Sequence, residues 1–307
     1  MASSNHTRLV AVLGGCLLGL AACSATAIWH SDQPSAPPDV ATGRRLYLAS
    51  CAGCHGVRGD ATGEIAASVF PPPRDFTRGE FRFRSTASGT LPTRADLART
   101  IDLGLPGSAM PSWRGLLSDN EIASIVLFVE TLSPRFAQEQ RQPEDVILPA
   151  DLSPVAATPE LVTRGRDLYV KMGCGECHGA EGRGDGKAAA TSRNSDGTVS
   201  HVFDFTYGVY KAGDAPVDVY RTFVTGLDGA PMPAFDQSLP EEADRWALVA
   251  YVLSLGRARG LTYYFSERPT WRDPMAANLE AARKTPAQPD ATTTPAPEST
   301  PPRDDGW

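Results

Sequence analysis

Apolar residues recur at helical spacing along this 307-residue chain, and they do so in two long stretches with the same layout. In the first stretch, Asp39 or Thr42 can cap a helix that carries Leu46 and Tyr47 on one side and leads into Cys51. Thr93 and Asp96 are spaced as in a capping box, which predicts a second helix over Thr93 to Asp102. Ser118-Asp119-Asn120-Glu121 opens a third, with Ile122, Ile125, Val126 and Val129 on one face. Between them lie a Gly-punctuated loop from His55 to Gly63, a Pro- and Arg-rich segment from Phe70 to Phe76, and a breaker loop from Gly104 to Pro111.

Residues 136–158 lose this periodicity and read as a linker, after which Thr158-Pro159-Glu160 supplies an N-cap, a proline at the first helical position and an early acid. The layout then repeats. Gly43-Arg44 and Leu46-Tyr47 recur as Gly165-Arg166 and Leu168-Tyr169, and Asp75-Phe76-Thr77 as Asp204-Phe205-Thr206. Asp96, Arg99-Thr100, Gly104, Gly107 and Met110 recur as Asp218, Arg221-Thr222, Gly226, Gly229 and Met232. A last helix is expected from Glu241 to Leu255, behind a capping box over Ser238 to Glu241. The chain therefore divides into two copies of one domain, 39–135 and 159–257.

Each copy carries Cys-x-x-Cys-His: Cys51, Cys54 and His55 in the first, Cys174, Cys177 and His178 in the second. Thiols at i and i+3 share a helix face, so one porphyrin can bond both, and the next residue turns an imidazole to its iron. Four cysteines in two such pairs also suit a four-thiolate zinc site or two redox disulfides, but neither accounts for the histidine after both pairs. The second axial position decides the chemistry. Of five methionines, Met110 and Met232 stand at matching places, each after a Gly-containing loop, before a proline and upstream of the last helix. Core packing is the usual role of methionine, yet matched placement in both copies favours iron ligation. His201 is a weaker axial candidate, and Met172 reads as a packing residue of its helix. Trp113 and Phe235, each just after its methionine, are expected to pack beside the site or the last helix. Arg74, Arg82 and Arg84 can pair with haem carboxylates, although a solvated basic face is the plainer expectation.

With these motifs the sequence resembles the class I cytochromes c, and its tandem layout resembles a dihaem member. The resemblance implies an all-α fold of two small helical bundles, each around one covalently attached haem c. It further implies that first and last helices cross, with Gly43 and Tyr47 facing Phe128 and Gly165 and Tyr169 facing Tyr251. The expected role is transfer of single electrons between redox protein partners; the rival is a dihaem cytochrome c peroxidase, which needs an iron position that can open.

Composition adds the setting. A net charge of −7 gives no support for nucleic-acid binding and suits partners with a basic docking face. Arg8 and the apolar run Leu9 to Ala22 read as an export signal over 1–22. Three readings stay open there: lipidation of Cys23 after Leu20-Ala21-Ala22, cleavage after Ala25-Thr26-Ala27, or an uncleaved anchor reaching to Trp29. All three place the body outside the cytoplasm, joined to the membrane or freed near it by the Pro-rich tether 23–38. Past the second domain, 258–283 is an extension with Tyr263, Tyr264, Phe265 and Trp271, expected to pack against a domain. The tail 284–307 is too polar and Pro-rich to fold alone.

Overall fold

A computed structural model of the chain describes residues 36–141, 145–148, 152–256 and 272–286. Cys16, Cys23, the aromatic run Tyr263 to Trp271 and the end of the tail lie outside the described residues. Among the described residues the ordered elements are helices, with only isolated bridges between extended segments. No described helix is long and apolar enough to cross a membrane.

The first domain is built from α1 (Val40–Ser50), the single turn α2 (Ala52–His55), α3 (Arg94–Leu103), α4 (Asp119–Thr131) and the turn α5 (Arg135–Gln138). Its caps are those the sequence predicts. Asp39 accepts from the Thr42 amide, and complete capping boxes close on Thr93–Asp96 and Ser118–Glu121. The second domain repeats the plan with α6 (Pro159–Lys171), the turn α7 (Gly175–His178), α8 (Pro216–Thr225) and α9 (Glu242–Leu255). Here one expectation fails. Glu241, not Ser238, is the N-cap of α9, and no side chain caps it. Leu239 is instead turned into the core and its carbonyl accepts from Arg245 Nε at 2.7 Å, which postpones the helix.

The packing of each domain turns on a glycine. Gly43 of α1 lies so close to α4 that a Cβ there would stand 1.9 Å from the Ser124 carbonyl oxygen. Gly165 of α6 meets the Ala247 carbonyl of α9 at the same 1.9 Å. Tyr47 then packs at a tilt on Phe128 at 5.0 Å between centroids, and Tyr169 meets Tyr251 edge-on at 5.2 Å. Gly43 itself thus faces Ser124 rather than Phe128, one turn nearer the start of α4, because the bare backbone of α1 has to pass there.

Two segments between and after the domains are ordered by them. Asp145 and Ile147 form backbone hydrogen bonds with Ala87 and Ser85 of the first domain, while Ile147, Leu148 and Leu152 pack on the core of the second. The linker is therefore seated on both domains over its described residues. The helix α10 (Arg272–Lys284) returns to the first domain. It lies against α1, buries Leu279 completely in that core, and ties Arg283 to Glu121 at the mouth of α4.

The domains meet through charged groups. Arg84 has no exposed surface; it donates to the Phe81 and Ala87 carbonyls of its own domain and to Thr225 O of the other at 2.7 Å, and pairs with Asp228 at 2.8 Å. Arg99 of α3 reaches Ala212 O and Asp218 of α8. The solvated-face expectation is therefore wrong for Arg84: its planar donor fork satisfies carbonyls and a carboxylate where an apolar side chain would leave them unpaired.

Gly43→Ala is expected to cost about 1–3 kcal/mol or more by forcing α1 off α4, read as a lower denaturation midpoint. Arg84→Met leaves the Phe81, Ala87 and Thr225 carbonyls at the interface without this donor and takes the cation from Asp228, which keeps Ser88 and Gly89. It should cost about 3–5 kcal/mol and uncouple the melting of the two domains in calorimetry.

Candidate functional site

The end of α1 delivers Cys51 to the wall of a cavity of about 430 Å³, and α2 adds Cys54 and His55 to the same wall. Met110 opens onto it as well, so the structure brings all four sequence-predicted groups of the first copy together. The remaining lining is mostly apolar, with Phe76, Phe81, Leu97, Ile101 and the buried Trp113. Burial pushes the Cys51 thiol up to about 12, with Cys54 adding to the rise, and Cys174 up to about 11. No disulfide joins any two of the four cysteines. The two pairs sit in different domains, and among the described residues no group of three or more His, Cys, Asp or Glu is placed to hold a metal ion. A shared four-thiolate zinc site is thus not what these residues build.

The imidazoles are oriented by the backbone. His55 Nδ1 lies 3.0 Å from the Arg74 carbonyl and His178 Nδ1 3.2 Å from the Phe203 carbonyl. A carbonyl only accepts, so Nδ1 carries the proton and Nε2 keeps its lone pair for a metal. Burial lowers the pKa of both rings, which holds them neutral and ready to ligate. Each ring is also stacked on a phenylalanine: His55 on Phe76 at 4.4 Å and His178 on Phe205 at 4.3 Å. Those phenylalanines belong to the repeated Asp-Phe-Thr, whose aspartate accepts from the threonine amide to fix the turn. The repeat of that tripeptide was visible in the sequence; its role as the platform under the histidine was not.

Tyrosine hydroxyls complete the frame. Tyr47 donates to the Gly56 carbonyl at 2.8 Å and Tyr169 to the Gly179 carbonyl at 2.7 Å, just beyond each histidine. The two glycines take positive φ, 79° and 78°, which lets the chain turn away after the imidazole.

The methionine loops match as closely. Leu105 N donates to the Met110 carbonyl and Leu227 N to the Met232 carbonyl, both at 3.0 Å. Gly104 and Gly226 leave room for the following chain: a Cβ on either would strike the backbone at Pro111 or Ala234. Met232, Cys174, Phe203 and Phe205 all pack against the second core. Phe235 packs on the same core, and Met172 caps α6 and packs there too. His201 is exposed and meets Phe70 of the first domain edge-on at 4.6 Å, a surface contact.

Two thiols, an oriented neutral imidazole and a thioether around an apolar cavity fit a covalently held haem, and no other common cofactor uses this donor set. Fold and site together thus define a c-type cytochrome. Comparison with known proteins agrees. The family model described as "Cytochrome C oxidase, cbb3-type, subunit III" matches residues 38–129, and the one described as "Cytochrome c" matches 162–256. A chain of the Kuenenia stuttgartiensis reducing HAO-like protein complex is similar at 40% identity with a TM-score of 0.66, the match covering 70% of this chain and 96% of that one. No curated protein matches. The chain belongs to the cytochrome c family as a tandem dihaem member, all-α, with two covalently bound haem c groups, and its chemistry is electron transfer.

Tyr47→Phe removes a buried hydrogen bond and leaves the Gly56 carbonyl without it. A loss of about 1 kcal/mol is expected, with haem content retained; denaturant titration followed at the haem absorption band measures both.

Proposed function

We propose that this cytochrome relays single electrons between protein partners. One haem is bonded to Cys51 and Cys54 between His55 and Met110, the other to Cys174 and Cys177 between His178 and Met232. The observation that carries the assignment is the cavity on which Cys51, Cys54, His55 and Met110 converge, supported by the matching hydrogen bonds of the second copy. When bound, each haem supplies a one-electron iron couple. The chain's own residues do the rest. Arg74 O and Phe203 O hold the histidine tautomer, the Met-Pro loops would offer Met110 and Met232 as the second iron ligands, and the apolar lining limits water. With imidazole and thioether as its two ligands, the iron would have a raised reduction potential and no vacant position for peroxide, which favours a carrier over a dihaem peroxidase.

The Kuenenia stuttgartiensis relative is a chain of a protein complex, which supports a role as the electron-transfer subunit of a larger oxidoreductase. The net charge of −7 suits a basic face on that partner. The apolar run before Cys23 supports export and tethering by a lipid on that cysteine, which would keep the cytochrome at high local concentration beside a membrane partner.

The oxidised protein should show a methionine-to-iron charge-transfer band at full strength for two haems and no reaction with peroxide. Met110→Ala and Met232→Ala should each remove half of it, and Cys51→Ser with Cys54→Ser should leave one covalent haem by mass. A high-spin signal in the unaltered protein that reacts with peroxide would overturn the carrier reading.

A further inference from the structure

The second domain places a side chain in the first domain's haem cavity. Lys211 lines that cavity together with Arg74 and Arg82, the three cations on its otherwise mostly apolar wall. Lys211 and Arg82 are the same position in the two copies: each follows an aromatic residue, Tyr210 or Phe81, that stacks near the phenylalanine under the histidine, at 6.1 Å and 6.0 Å. The copies therefore present equivalent cations to one another across the interface. Arg82 confirms the crossing, since its Nη2 donates to Asn194 Oδ1 of the second domain at 2.8 Å.

These cations lack adequate partners. Arg82 Nε is buried with no hydrogen bond. Among the described residues Lys211 makes no ion pair, and its Nζ lies 5.3 Å from the ring centroid of Phe203. Glu80 and Asp196 attract Arg74 and Arg82 through space, but their hydrogen bonds go elsewhere: Glu80 to Arg78 and Ser195, Asp196 to Thr198. Burial and the neighbouring Arg74 bring the Arg82 guanidinium down to about 10, and burial and Arg82 lower Lys211. Three like charges around a half-buried cavity are unfavourable unless anions complete them. A haem carries two carboxylates on one edge. In the second copy Phe203 stands at the place of Arg74.

We propose that the carboxylates of the first haem point to the domain interface and are held there by Arg74, Arg82 and, from the second domain, Lys211, so that the second domain sets the reduction potential of the first haem. This rests on the haem seat proposed above. A positive charge beside a haem favours the reduced iron, so removing it lowers the potential.

The test is Lys211→Gln in the full-length dihaem protein, with both couples followed by potentiometric titration and the first identified through Met110→His, which changes its ligand. The equilibrium for reducing the first haem should fall about ten-fold, equal to about 59 mV for one electron, while the second moves much less. Lys211→Arg should restore it, and Arg82→Gln should act in the same direction. Unmoved couples in Lys211→Gln, or a shift of the second haem alone, would sink the proposal. If Cys51→Ser with Cys54→Ser keeps two covalent haems, the haem seat itself is wrong. Loss of one haem there, with unmoved couples in Lys211→Gln, rejects the cation cluster and leaves the seat standing.

Discussion

The backbone of α1 touches the backbone of α4 at Gly43, and the backbone of α6 touches α9 at Gly165. Each contact admits no side chain, so it sets the height and angle at which one helix crosses the other. Everything that builds the site hangs from that crossing. One turn further along, Tyr47 is wedged against Phe128 and its hydroxyl reaches over the histidine turn; the helix then ends at Cys51. A shift of the crossing would carry the thiols, the imidazole and the tyrosine together. Met110 is anchored separately, by the loop between α3 and α4, so different parts of the same bundle position the thiols and the thioether that line the cavity.

The two domains repeat one architecture, but the surfaces that join them do not repeat one chemistry. Arg84 is wholly buried at the junction, and the register of the second copy puts Gly213 in the corresponding stretch. Arg99 crosses to Asp218, while its counterpart Arg221 stays with Asp218 in its own domain. An interface built on buried charges such as Arg84 is less forgiving of sliding than an oily one, because any displacement strands donors in a dry environment. That rigidity suits two cofactors whose separation governs how fast an electron passes between them.

Much of this could be read from residues alone. The Cys-x-x-Cys-His pairs, the Met-Pro loops and the caps at Thr93, Ser118 and Thr158 are local signals, each complete within a few residues. The buried Arg84, the stacking of Phe76 and Phe205 and the reach of Lys211 depend on which surfaces meet, and a linear pattern does not encode that. An arginine-rich stretch looks solvated until a second domain closes over it. The capping box expected at Ser238 failed for a related reason: Leu239 has a place in the core, and tertiary burial outweighed a local hydrogen bond. The extension 258–283 reads as packing on a domain, but not as a helix: the apolar content of α10 is slight, with Leu279 and Ala282 buried among its described side chains, and it gains its partner by returning to a distant domain.

That return has a bearing on how the molecule comes into being. The first domain occupies the early part of the chain, yet a strip of its core is supplied by Leu279 and Ala282, which are synthesised after the whole second domain. Vectorial folding can thus finish the second bundle before the first is sealed. For that interval the first bundle stands with one side of α1 uncovered. A segment made after the second domain is the one that closes the first-made part, so a nascent or clipped chain ending near residue 256 would carry its weakness at the opposite end from the cut.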